Sequence, residues 1–183
     1  MRRVTRGDIV DIATYGAGRE AYRQRVLGIK AVRRLHVGPY LTFLFENTET
    51  VRYQIQEMMW AERLVKEADI LHEIETYNEL LGGPGELGAT LLIEIESPTD
   101  RDVWLRRWLA LPAHLYVRLE DGRRVSAAFD PRQIGQDRLS SVQYVKFPTQ
   151  GHVPVAIGCN HPELTAETVL TDEQRRALAE DLH

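Results

Sequence analysis

The fold class this sequence predicts is α+β: a single domain in which helices pack against a mostly antiparallel sheet. Three observations carry that expectation. Residues 1–80 place apolar side chains mainly at helical spacing, with one short hairpin among them. Residues 86–162 run as short alternating segments joined by tight turns. Only one stretch, from Ala89 through a helix around Trp104 to His114, has room for the crossover that two parallel strands need. A doubly wound nucleotide fold is therefore not expected.

Taken in order, Thr5 and Asp8 form a capping-box start for a helix through Ile9, Val10 and Ile12, which Gly16 and Gly18 are expected to break. A second helix then spans Arg19 to Arg33, its stripe made by Tyr22, Val26, Ile29 and Val32, with Gly28 marking a close helix contact. Strands follow at Leu35–Val37 and Tyr40–Phe45, turned by Gly38-Pro39. Asn47 or Thr48 caps a helix from Glu49 to Lys66, and Asp69 a shorter one through Tyr77. Leu81-Gly82-Gly83-Pro84-Gly85 is a connecting loop. Ala89–Glu96 is apolar on both faces at its start and reads as a central strand covered on both sides. Pro98 opens a helix through Trp104 and Leu109. Asp121-Gly122, between two alternating runs, is the strongest hairpin signal in the chain. Strands at Ser141–Phe147 and Val153–Cys159 complete the sheet, and residues 163–183 are expected to form a peripheral C-terminal helix beginning at Asp172.

Composition narrows the function classes. Hydrophobic residues make up 43% and charged residues 27% of 183 positions, a folded globular balance. A chain of that length buries roughly 70% of its unfolded surface, so the core needs no staples. Cys159 is the single cysteine, which rules out an internal disulfide. The apolar runs are too short to span a bilayer, and no apolar stretch follows the basic Met1-Arg2-Arg3, so a cytoplasmic location and no membrane partner are expected. The net charge of −4 argues against nucleic acid as a partner, although residues 19–34 are strongly basic. Pyrophosphate-binding Gly-x-Gly-x-x-Gly, a phosphate loop with its lysine, Cys-x-x-Cys and His-Glu-x-x-His are all absent.

A few polar residues sit where chemistry is conceivable. Cys159 and His161 lie two apart near a strand end and could share a transition metal such as zinc or iron, with His36, Glu57 or Glu94 completing the set. The same pair also fits a Cys/His nucleophile, or a buried cysteine beside a histidine bonded locally. Glu57 and Gln54 stand on an apolar helix; a carboxylate buried there must pair, with Arg33 or Arg34, or touch a metal or substrate. Arg33, Arg34 and Gln54 could instead rim a pocket for a small anionic ligand. His72 and Glu75 sit three apart, the reverse of the spacing used in carboxylate-bridged metal sites. Trp60, Trp104 and Trp108 belong to the core or to a docking surface.

His36-Val37-Gly38-Pro39, Thr42-Phe43-Leu44-Phe45-Glu46-Asn47, Tyr53-Gln54-Ile55-Gln56-Glu57-Met58 and Asn160-His161-Pro162 resemble a bacterial family known only as domain of unknown function 3501. The likeness runs to about Pro162. Such proteins are often encoded near rubrerythrin and iron–sulfur oxidoreductase genes, so the resemblance implies a link to redox or metal handling. The family often carries Asp-His-Pro where this chain has Asn160-His161-Pro162, which weakens a metal ligand at that position. Three functions follow as expectations: an accessory or interaction protein serving a redox partner or acting as a homo-oligomer; a metal-binding protein or metalloenzyme; a binder of small anionic molecules.

Overall fold

A computed structural model describes all of residues 1–183. Its elements in chain order are α1 (Ile12–Ala31), β1 (Arg34–Val37), β2 (Leu41–Phe45), α2 (Thr48–Glu62), α3 (Glu67–Asn78), β3 (Leu87–Ile93) and α4 (Pro98–Arg107). There follow β4 (Leu115–Arg118), β5 (Arg124–Ser126), β6 (Ala128–Phe129), β7 (Val142–Phe147), β8 (Ala156–His161), β9 (Leu164–Val169) and α5 (Asp172–Asp181). The strands form two sheets, β1-β2-β3-β7-β6 and β5-β4-β8-β9, and every pairing is antiparallel. The α+β class read from the sequence is borne out, and β3 is the central strand of the larger sheet. No helix is long and apolar enough to cross a membrane.

The sheets are joined along both margins. β5 runs almost directly into β6, with only Ala127 between them, so one stretch of chain edges both sheets. At the other margin the Thr168 hydroxyl of β9 donates to the His36 carbonyl of β1 at 2.6 Å. Side chains alternate along each strand, and the inward set from both sheets fills one space. Phe43, Phe45, Leu91, Phe147, Val117 and Ile157 are all fully buried there. α4 and α5 add Leu105, Trp108 at the α4 C-terminus, and Leu178 to the same core. A second, smaller core joins the N-terminal segment to α2 and α3 through Val4, Ile9, Val51, Ile55, Ile70 and Ile74.

Several local expectations are corrected. α1 is one helix of 20 residues, unbroken at Gly16 and Gly18. Asp11 caps it, accepting from the Thr14 N–H at 3.0 Å, while the Thr5–Asp8 box closes only a short 3-10 turn. Gly16 is there for packing: a Cβ at that position would come within 2.4 Å of the Trp60 ring on α2. Gly28, expected at a helix contact, meets nothing within 4 Å. α2 ends at Glu62, where Arg63 turns left-handed at φ 54°, and α3 has Asp69 in its first turn rather than as its cap. The segment after Pro162 is not simply a peripheral helix. Residues 164–169 pair with β8 as β9, and α5 buries Ala177, Leu178 and Asp181.

Candidate functional site

The expected metal ligands lie in three separate places. α1 and α2 run antiparallel, so Gly16 meets Trp60 and Arg19 meets Glu57. Glu57 is therefore fully occupied: Arg19 grips its two oxygens at 2.8 and 2.7 Å, and the Tyr15 hydroxyl donates at 2.6 Å. The Arg19 guanidinium holds the Glu57 carboxyl below its ordinary range, burial opposing and Tyr15 assisting. Burial first, then the Glu57 bond, raises the Tyr15 hydroxyl. Neither Arg33 nor Arg34 serves as the partner of Glu57. Arg33 stands at the far end of α1, almost fully buried, and makes a two-pronged bond to Asp181 at 2.7 and 3.0 Å. Arg34 is exposed on β1, and Gln54 is exposed on α2. The three do not rim a common pocket.

His36 and Glu94 do come together, through a residue the sequence did not flag. His36 pairs across the strands with Thr42, and Thr42 with Leu92, next but one to Glu94 along the chain. The buried Thr42 hydroxyl donates to Glu94 at 2.5 Å and so accepts from His36 Nδ1 at 2.8 Å. A hydroxyl has one proton to give, so with that proton on the Glu94 bond it is His36 Nδ1 that donates to Thr42. Alternation along β1–β3 signals that all three share the outer face; their bridging through Thr42 depends on the register.

Cys159 and His161 share the inward side of β8 but engage different neighbours. Cys159 is sealed in the main core, and burial pushes its thiol up. The His161 backbone N–H donates to Cys159 Sγ at 3.5 Å. The His161 ring accepts from the Glu163 N–H at Nδ1 (3.3 Å) and stands edge-on to His114, the centroids 5.1 Å apart. Burial, then the His114 charge, lowers its pKa. Nowhere do three His, Cys, Asp or Glu side chains converge in the arrangement of a metal site. Of the tryptophans, Trp108 is buried, its ring N–H bonded to Glu163, while Trp104 packs beside it and Trp60 is half-buried on the α1–α2 seam.

A cleft with a volume of about 810 Å³ lies elsewhere, between α3 and the β6–β7 margin. α3 contributes His72 and Glu75 from its side away from Ile70 and Ile74, and Tyr77 from the edge of the side that packs on the smaller core; β6 and β7 contribute Phe129, Tyr144 and Lys146. The flagged His72 and Glu75 are thus cleft residues. The rim is held in place by Gln133, whose side-chain amide bonds both the N–H (2.8 Å) and the carbonyl (3.1 Å) of Tyr144, continuing the ladder where β6 stops. Arg132 at the mouth is paired with Asp130. Burial raises the Tyr77 hydroxyl, with the Gln54 amide pulling the other way. Tyr144 and Lys146 were missed in the sequence because an alternating strand gives no sign of which neighbours leave a side chain uncovered.

The family model for "Protein of unknown function (DUF3501)" matches residues 3–182. The chain belongs to that family, and the match extends through β9 and α5, beyond the Pro162 limit of the sequence resemblance. No curated protein matches. Among solved structures, a novel protein of unknown function from Burkholderia pseudomallei K96243 is similar over 100% of both chains, with 28% identity and a TM-score of 0.90.

Proposed function

We propose that this chain, a member of a family without a defined activity, is an accessory binding protein for a redox or metal-handling system, working through the cleft between α3 and the β6–β7 margin. One observation carries this. The side chains suited to catalysis or metal ligation are engaged within the fold, whereas those of the cleft face open space. Arg19 and Tyr15 hold Glu57, Asp181 holds Arg33, and one atom each of Glu94 and His161 is engaged by Thr42 and by the Glu163 N–H. A cleft of about 810 Å³ falls in the size range of small-molecule sites. Its walls mix aromatic rings with a few polar groups, the composition that such sites share. The redox link rests on the family resemblance and the binding role on geometry.

The test is elemental analysis of protein purified without an affinity tag, alongside Cys159→Ala and His161→Ala. Metal is expected well below one ion per chain, before and after reconstitution with iron and zinc, and equal in all three proteins. Near-stoichiometric metal that disappears in both variants would refute the proposal in favour of a metalloprotein.

A further inference from the structure

Lys146 is a charge that the fold leaves without a counter-ion. It is half-buried on the outer face of β7, yet it takes part in none of the ion pairs of the fold. Its cross-strand neighbours are Gly88 on β3 and Ala128 on β6, one without a side chain and one with a methyl group. Neither offers a counter-charge, the space beside Gly88 being taken by the Leu80–Gly82 backbone, and Lys146 lines the cleft. Two residues away on the same face, Tyr144 is 44% exposed, a high value for a large aromatic ring on a sheet. Tyr77 lines the same space from α3. The Gln133 clamp on the Tyr144 backbone sets that wall in advance of any ligand.

From this arrangement we infer that the cleft binds a planar aromatic molecule carrying one carboxylate or phosphate group. The ring lies against Tyr144 and Tyr77, and the anion meets Lys146. The aliphatic stem of Lys146 gives the ring an apolar surface to rest on. Glu75 across the cleft selects against a second negative charge on the ligand. The inference rests on the cleft being the working surface, and adds the class of molecule held there.

The probes are 1-naphthoate, 1-naphthyl phosphate and the uncharged 1-naphthalenemethanol, titrated into isotope-labelled protein and followed by amide chemical shifts. Wild type, Lys146→Met and Tyr144→Ala are compared. At least one anionic probe is expected to shift amides of α3, β6 and β7 and to bind about tenfold or more tighter than the alcohol, the scale of a charge-assisted hydrogen bond. Lys146→Met should erase that preference, and Tyr144→Ala should weaken all three probes. If the alcohol binds at the cleft as tightly as both anions, and Lys146→Met changes none of them, the anion assignment is overturned while the cleft stands as a binding site. Shifts confined to other surfaces, or no binding of any probe, overturn the inference altogether. A metal result in the elemental analysis would remove the accessory-binding proposal independently of these titrations.

Discussion

Replacing Asp181 by asparagine should destabilise the protein far more than loss of any surface ion pair. Arg33 and Asp181 are 7% and 6% exposed at their side chains, and they join the end of α1 to α5 across 148 positions of sequence. Asn47, the cap of α2, also donates to Asp181 at 3.3 Å. Asp181→Asn keeps the volume but leaves the guanidinium without its counter-charge in a site closed to water. Breaking a buried pair from one side costs about 3–5 kcal/mol. The lower end applies here, because Arg33 keeps bonds to the carbonyl oxygens of Ile29 and Ala177. With a urea slope of about 2 kcal/mol per molar, a loss of about 3 kcal/mol moves the unfolding midpoint down by about 1.5 M. The exposed Arg106–Asp102 bridge on α4 is the contrast, and its loss should cost about 0–1 kcal/mol. The double variant Arg33→Met/Asp181→Leu removes both charges and should recover most of the deficit. A stability for Asp181→Asn within about 1 kcal/mol of wild type at unchanged slope would refute this account. So would a double variant no more stable than the single.

Two further outcomes follow from the sites around β8. Cys159 should resist a disulfide-exchange reagent in the native protein and react at once in denaturant, since burial both shields the thiol and disfavours the thiolate; rapid stoichiometric labelling of the native chain would contradict its place in the core. His161 should titrate below the ordinary histidine value of about 6.5 when followed by NMR. The unfolded chain then binds its proton more readily than the folded one, so this group costs stability as the pH falls through about 6.5 and none well above it. A titration at or above that value would show that the ring is neither desolvated nor influenced by His114.

The hairpins were legible because their turns demand particular residues. Gly38 and Gly122 adopt φ of 61° and 86°, a region that side chains with a Cβ disfavour, and both turns fall where the sequence placed them. α1 was divided in two for the opposite reason. Gly16 looks like a helix breaker when read locally, but its missing side chain makes room for Trp60, and only the packed pair of helices reveals that. β9 went unread because its inward positions, Leu164, Ala166 and Thr168, fade from apolar to polar along the strand. Pairing with β8 supplies what the pattern lacks.

The same division between local and tertiary information governs the sites. Residue type alone marked Glu57 as a carboxylate in need of a partner, and the fold supplies one. Choosing Arg19 over Arg33 requires the antiparallel register of α1 on α2, in which the guanidinium at position 19 lies level with position 57. His36 and Glu94 were both suspected, but their link runs through Thr42, whose importance appears only when three strands lie side by side. Lys146 is the extreme case. Lysine on an alternating strand is ordinary in sequence, and it becomes notable because Gly88 and Ala128, both distant along the chain, are the residues the register sets beside it. A charge that the register sets beside residues unable to pair with it leaves no motif in the chain. It has to be found by asking, in the folded molecule, which charges have been left without a partner.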